Sequence, residues 1–167
     1  FFEQRIQEAM NLRRRYWPAA TSYRVVNSEG DFLSGLIVDK YEDVLAVQTS
    51  ALGMDQRKAQ IIPALQTLFS PAAIIERNDV ASRQFEVLPD TSGVIAGTTP
   101  SALNVRLNGL KFSTPLFTGH KTGLYLDQQA NYQLVANLVA TFQAPQVLDC
   151  FSFIGGFALH AARAGAA

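Results

Sequence analysis

The chain has 167 residues, of which 48% are hydrophobic, enough to bury the core of one large domain or two small ones. Its 14 Lys and Arg residues balance 14 Asp and Glu residues, and this formal net charge of zero argues against a continuous phosphate-binding surface. A single cysteine excludes an internal disulfide, and no stretch has the length of a membrane span or the pattern of a signal peptide, so we expect a cytoplasmic protein with no membrane partner.

The first predicted element is an amphipathic helix. In residues 3–16 apolar side chains recur at helical spacing with charges on the other face, and Pro18 ends the pattern. The three arginines at 13–15 are predicted to form a solvated helix end that interacts favourably with the helix dipole, and contact with RNA phosphates is the alternative. Trp17 is expected to pack rather than to stack on a base.

A run of short strands follows. β-branched segments separated by polar turns are typical of consecutive antiparallel strands, and the segments are residues 23–27, 35–41 and 44–50. Three acids lie in or near these turns and are interpreted as structural residues rather than metal ligands, namely Asp31, Asp39 and Asp43. No metal site is predicted.

The next segments alternate between helix and strand. Residues 53–69 carry a helical apolar face, although Pro63 indicates a kink or a late start. Residues 73–77 read as a strand, and the polar block that follows allows a short helix at 79–84 and a strand at 93–97.

The clearest local signal is a β-hairpin. The segment LNVRL at 103–107 and the segment LKFSTPL at 110–116 flank Asn108-Gly109, the dipeptide that favours a two-residue hairpin turn. A polar loop at 119–123 then leads to a helix predicted at 128–142. The loop can reach over a ligand, or it is a plain connection with Asp127 as the helix N-cap.

The last stretch, Val147–Ala161, reads as a strand, a small turn and a helix start. Val147 and Leu148 supply the strand, and Asp149 sits where the strand ends. Gly155 and Gly156 would let backbone N–H groups approach a ligand as the helix opens. The G-x-G-x-x-G pattern of a pyrophosphate binder is absent, which favours a ligand with an adenosine end and an amino-acid end.

These segments carry a resemblance to a known family. The run GHKTGLYLDQQ at 119–129 and the run VLDCFSFIGGFALHAARAGA at 147–166 resemble the cofactor half of S-adenosylmethionine-dependent RNA cytosine-5 methyltransferases of the ribosomal RNA large subunit methyltransferase I type. Residues 23–58 and the run IIERNDVASR at 74–83 are similar to the middle domain that this family carries between a PUA domain and the methyltransferase domain.

The resemblance implies a fold in three parts. We expect a linker helix at 1–19, an α+β middle domain at 20–102 on the RNA side, and a β-hairpin with the first part of an α/β Rossmann-like methyltransferase domain at 103–167. A doubly wound sheet needs several βα units, so the catalytic domain is expected to be incomplete in this chain.

The resemblance also implies the cofactor S-adenosyl-L-methionine and a ribosomal RNA substrate methylated at cytosine C5. The implied cofactor-binding residues fall in two groups: Lys121, Thr122, Gly123, Asp127 and Gln128, then Asp149, Phe151, Ser152, Gly155 and Gly156. Family members usually have Arg where this chain has Gln129, which puts an ion pair from this position in doubt.

No catalytic residue is expected within the chain. Cytosine-5 methylation requires a thiolate, but Cys150 lies in the cofactor motif beside an acid that would raise its pKa, so it is interpreted as a buried structural thiol. The family's nucleophilic cysteine is expected beyond Ala167, and the chain alone is expected to be inactive. His160 is interpreted as structural, and His120 as a residue of the cofactor loop.

Two other functions stay open at this stage. One is an RNA-binding or assembly module without catalysis, and the other is an NAD-type oxidoreductase, which the missing glycine pattern disfavours. The apolar side chains around residues 145–167 need cover, so we expect this unit to form a homodimer contact, to pack on the middle domain, or to be poorly ordered.

Overall fold

The computed structural model describes residues 1–99, 102–115, 117 and 122–167. Five α-helices are present in this part of the chain: α1 Phe2–Tyr16, α2 Leu52–Asp55, α3 Lys58–Phe69, α4 Gln129–Val139 and α5 Gly156–Arg163. The strands are β1 Ser22–Asn27, β2 Leu36–Tyr41, β3 Val44–Thr49, β4 Ala73–Asn78, β5 Thr91–Gly97, β6 Leu103–Leu107 and β7 Leu110–Thr114. Short 3-10 turns lie at Ser28–Asp31, Ala81–Glu86 and Leu126–Gln128.

The first five strands form one mixed sheet in sequence order. The predicted meander is confirmed, because β1, β2 and β3 pair antiparallel. β4 pairs parallel with β3, and β5 closes the sheet antiparallel to β4. A parallel neighbour needs a crossover connection, which α2 and α3 supply. The helix predicted at 53–69 is divided, since α3 begins at Lys58 after a break at residues 56–57; Pro63 lies inside α3 and not at its start.

Each face of the sheet has its own apolar core. Alternate side chains of a strand point to opposite faces, and in β3 Leu45 and Val47 pack with α1 and α3, whereas Val44 and Ala46 face the hairpin β6–β7. The second core also takes in Tyr132 of α4, with Phe157 of α5 packed against it. The sheet is therefore covered on one face by the helices of the first half and on the other by the second half of the chain.

Helix α1 forms as predicted, but its last turn is less solvated than expected. The guanidinium of Arg13 donates to both carboxylate oxygens of Asp31 and to the carbonyl of Arg24. Both members of this ion pair are largely buried, so the interpretation of Arg13 as a solvated residue is wrong. Arg14 and Arg15 are exposed, and Trp17 is 55% exposed.

The hairpin is confirmed, and the strand predicted before α5 is not formed. Asn108 and Gly109 both have positive φ angles, 49° and 85°, as a type I′ turn requires. Val147 and Leu148 have no strand neighbour among the described residues, and the N–H of Val147 donates to the carbonyl of Ala167 instead. A strand is stable only when another strand takes its backbone hydrogen bonds, so a two-residue apolar run is insufficient evidence for one.

The domain boundary near residue 103 stays a prediction, because the second core contains residues from both sides of it. Within the described residues, no helix is long and apolar enough to cross a membrane. The same part of the chain has no group of three His, Cys, Asp or Glu side chains placed to hold a metal ion.

Candidate functional site

A buried hydrogen-bond network anchors the segment that precedes α4. The Thr122 hydroxyl donates to Asp39 Oδ2, and the Tyr41 hydroxyl lies 2.9 Å from the Thr122 hydroxyl. The N–H of Leu124 donates to the Tyr41 hydroxyl over 3.1 Å, and Arg24 holds the Asp39 carboxylate from the far side with two hydrogen bonds of 2.9 and 3.0 Å. The sheet therefore fixes the position of residues 122–124.

Thr122 and Gly123 were predicted to contact a cofactor, and both are buried against the sheet. Thr122 is 1% exposed and commits its hydroxyl to the network. A Cβ on Gly123 would lie 3.2 Å from the Tyr41 hydroxyl oxygen, so this glycine allows the close approach of the tyrosine. Burial is the main reason that the pKa of Tyr41 rises to about 12, with the Asp39 carboxylate adding to it. Lys121 and the loop residue His120 lie outside the described residues.

One feature of the sequence could have indicated this anchor. Asp39 occupies an inward-facing position of a strand whose other inward residues are apolar, and a buried carboxylate requires partners. Its partner Thr122 is 83 residues away, so no local pattern connects the two.

Asp127 and Gln128 lie in the 3-10 turn that leads into α4. Asp127 is exposed and Gln128 is half-buried. The N-cap position of α4 is Gln128, and no side chain caps this helix, so the alternative interpretation of Asp127 as N-cap is wrong. Gln129, which replaces the family's arginine, donates its amide to the carbonyls of Ser22 and Leu126 at 2.9 and 3.2 Å. It joins α4 to the first strand without a charge.

The turn before α5 is ordered by its own hydrogen bonds. Asp149 Oδ2 accepts a hydrogen bond from the N–H of Ala158 at 3.3 Å, which ties the acid to the first turn of the helix. The N–H of Gly155 donates to the carbonyl of Ser152 at 2.6 Å. Gly155 has a φ of 74° at the helix N-cap, a left-handed conformation that favours glycine.

Gly156 is explained by packing inside the protein. A Cβ on this residue would overlap Cζ of Tyr132 and would lie 2.7 Å from its Cε1 and hydroxyl oxygen. The Tyr132 ring is held between Phe157, at 4.7 Å and nearly perpendicular, and His160, stacked at 5.1 Å. The glycine thus makes room for an aromatic ring, whereas the sequence had suggested that it makes room for a ligand.

His160 is structural, as predicted. It is fully buried, its Nδ1 lies 2.6 Å from the carbonyl oxygen of Gly156, and its ring also stacks on Phe112 at 6.3 Å. Burial lowers the pKa of His160.

The side chains at the tip of the turn are open to solvent. Phe151 is 97% exposed, and Ser152 is exposed beside it. Cys150 is exposed too, so its prediction as a buried thiol is wrong. The burial was inferred from the place of Cys150 in the cofactor motif beside an acid. The strand predicted just before it does not form, so this stretch of chain does not enter a sheet. Leu148 is 85% exposed for the same reason.

The two groups of predicted cofactor residues approach each other around Tyr132. The rings of Tyr125 and Phe153 meet edge to face at 5.2 Å and join the two segments. Burial raises the pKa of Tyr132, and the carboxylates of Asp127 and Asp149 raise it further. Carboxylates such as those of Asp127 and Asp149 can accept hydrogen bonds from hydroxyl or ammonium groups of a ligand.

The chain is similar in sequence to ribosomal RNA large subunit methyltransferase I proteins from several bacteria. Ribosomal RNA large subunit methyltransferase I from Aeromonas salmonicida is 42% identical over 147 residues, which cover 87% of this chain and 36% of that protein. The protein of the same name from Vibrio vulnificus is 37% identical over 169 residues, covering 99% of this chain and 42% of that protein. The chain therefore spans about two fifths of the length of the curated relatives it matches. No protein-family model matches it.

The chain also covers about two fifths of the length of similar solved structures. A putative SAM-dependent methyltransferase from Streptococcus mutans superposes with a TM-score of 0.79 at 24% identity, covering 99% of this chain and 42% of that one. A putative methyltransferase complexed with SAH gives a TM-score of 0.77 at the same identity and coverage. The chain thus has the same fold as a segment that makes up about two fifths of each solved protein. Its sequence matches a segment of similar relative length in the methyltransferase I relatives.

Proposed function

We propose that this chain is part of an S-adenosylmethionine-dependent methyltransferase that forms 5-methylcytosine in ribosomal RNA. The observation that carries the proposal is the 42% identity over 147 residues to a ribosomal RNA large subunit methyltransferase I. The fold shared with a putative methyltransferase complexed with SAH supports the choice of cofactor.

The residues around Tyr132 fit the polar parts of such a cofactor. Asp149 Oδ2 accepts the backbone N–H of Ala158, and a carboxylate has further lone pairs that can accept from a hydroxyl or ammonium group. Of the first N–H groups of α5, that of Ala158 already donates to Asp149, and that of Phe157, which has no partner within the helix, can donate to a ligand carboxylate. The exposed ring of Phe151 offers an apolar surface at the same turn.

The proposed cofactor residues differ in the kind of contact each would make. Asp127, Gln128 and Asp149 accept or donate hydrogen bonds to the cofactor, Ser152 and Gly155 present the backbone of the turn, and Phe151 contacts an apolar part. Thr122, Gly123 and Gly156 act indirectly, because each is packed against a tyrosine. Lys121 is proposed only from the resemblance.

The methyl group comes from the bound cofactor, and the thiolate that activates the cytosine is proposed to come from outside this chain. Cys150 then has no catalytic role, although it is exposed. We expect no methyl incorporation into RNA by the 167-residue chain alone. Incorporation that disappears in Cys150→Ser would overturn this assignment.

The cofactor site can be tested directly on this chain. In a titration of the ¹⁵N-labelled protein with SAH, we expect amide shifts concentrated at residues 122–128 and 149–156. Asp149→Ala should weaken binding by roughly ten- to a hundred-fold, since a hydrogen bond to a charged group contributes about 1.5–3 kcal/mol. The matched control is Asp90→Ala, which removes an exposed acid that belongs to neither group of predicted cofactor residues.

Circular dichroism should show that both variants fold. Normal SAH binding by Asp149→Ala, or shifts confined to other surfaces, would contradict the proposed site. The homodimer expected for the exposed apolar residues is tested on the same samples by light scattering.

A further inference from the structure

A concave cleft lies outside the turn before α5, since none of residues 147–156 lines it. A cleft of about 1090 Å³ runs between the end of α1, strand β1, the hairpin turn and α4. Among the predicted cofactor residues only Asp127 lines it. Pockets that hold a drug-sized ligand have volumes of about 300–1,000 Å³, so this cleft has room for a ligand of at least that size.

The lining has a distinctive chemistry. It contains three arginines, two aromatic residues and several amide side chains but a single acid, Asp127. The arginines are Arg13, Arg24 and Arg106, the aromatic residues are Trp17 and Tyr23, and the amides include Asn27, Asn108, Gln133 and Asn137. Amide groups match the hydrogen-bonding edges of nucleobases, arginines match phosphates, and aromatic rings stack on bases.

Two of the arginines are fixed in place before any ligand binds. Arg13 is paired with Asp31 and Arg24 with Asp39, each through two hydrogen bonds. Arg106 is exposed, and its guanidinium makes no hydrogen bond or ion pair within the described part of the chain. It is therefore the cation in the cleft that is available to neutralise a phosphate.

The aromatic side of the cleft is also available. Trp17 is 55% exposed beside Tyr16, whose ring lies 6.1 Å away. The exposed part of this tryptophan provides a face on which an unpaired base can stack. Double-stranded RNA offers no such base and is recognised mainly through its backbone.

We propose that this cleft binds a single-stranded segment of RNA, with a base stacked on Trp17 and a phosphate on Arg106. The inference rests on the proposed function, because it assigns a surface to the RNA substrate. A protein segment is the competing occupant, and the shortage of acids in the lining restricts it to an acidic peptide.

The test uses the full 167-residue chain and a fluorescein-labelled single-stranded RNA of about 12 nucleotides, a length within the range that one small domain covers. Trp17→Ala should weaken binding by roughly five- to 150-fold, the range for loss of one stacked base. Arg106→Gln should weaken binding and lower the slope of log affinity against log salt by about 0.7, as expected for one lost contact to a single-strand phosphate.

The matched controls lie on other surfaces. Phe85→Ala removes a 90% exposed aromatic ring and Arg57→Gln removes an exposed arginine, and both should bind the RNA as the unaltered chain does. Equal losses in control and cleft variants would overturn the proposal, as would unchanged binding in Trp17→Ala and Arg106→Gln. Equal affinity for a duplex or for polyglutamate would overturn it as well.

The SAH titration separates this inference from the proposed function. If SAH shifts residues 149–156 while the cleft variants bind RNA normally, the cleft assignment fails and the methyltransferase proposal stands. If the cleft variants lose RNA binding but SAH shifts nothing, the chain binds RNA without the proposed cofactor site.

Discussion

Replacing Gly156 by alanine tests whether this glycine serves the packing of Tyr132. The added Cβ would overlap the outer part of the Tyr132 ring, and the ring has little room to move because Phe157 and His160 hold it on two sides. Tyr132 is only 4% exposed. Overpacking of this kind costs about 1–3 kcal/mol, which exceeds the helix-propensity gain from glycine to alanine of at most about 1 kcal/mol. Gly156→Ala should therefore lower the free energy of unfolding, measured by urea denaturation.

A double-mutant cycle identifies the cause. Leucine at position 132 lacks the three atoms that the new Cβ would approach, so in the Tyr132→Leu background Gly156→Ala should be neutral or slightly stabilising. The coupling between the two changes should be about 1–3 kcal/mol. Gly53→Ala is the control, because a Cβ there meets only an arginine end at 3.7 Å. A Gly156→Ala cost that is the same in both backgrounds, or that is absent in the unaltered chain, would refute the reasoning.

Two further predictions concern buried titrating groups. Tyr41→Phe leaves the N–H of Leu124 without its acceptor and should destabilise the chain by about 1–3 kcal/mol at pH 8. Folding raises the pKa of Tyr41 to about 12, above the unfolded value, so the contribution of the tyrosine to stability is complete below pH 10 and is lost as the pH rises to 12. The difference in unfolding free energy between the two proteins should therefore narrow over that interval. A constant difference in denaturation curves would contradict this. The pKa of His160 is lowered in the folded state, so its contribution to stability is present above pH 6.5 and falls on acidification. The unfolding free energy of His160→Phe should lack that part of the acid dependence. Identical profiles of stability against pH would count against a buried neutral imidazole.

Local patterns were sufficient for most of the fold. The helical spacing before Pro18, the β-branched runs and the Asn108-Gly109 turn each specify an element through residues close in sequence, and all three were predicted correctly. The strand at 147–148 failed because strand formation depends on a partner that a short run cannot reveal. The predicted burial of Cys150 is wrong as well, because the turn that carries it is open to solvent.

The candidate site was less accessible to sequence reasoning. The hydrogen bonds that fix Thr122 come from Asp39 and Tyr41, more than 80 residues earlier in the chain, and no periodicity records such a contact. The pair of glycines illustrates a second difficulty. Gly155 and Gly156 look alike in sequence, yet the first is required by a positive φ angle and the second by the ring of Tyr132. Only the packed structure separates the two reasons.

The second core has a consequence for how the chain behaves as a unit. Ala46 and Ile75 of the sheet, Val105 and Phe112 of the hairpin, and Tyr132 of α4 belong to one continuous apolar cluster. Neither side of residue 103 can lose its structure without exposing the apolar face of the other, so the two halves should melt in a single cooperative transition. The apolar cluster that crosses residue 103 would then make both sides of the predicted boundary one unit in unfolding.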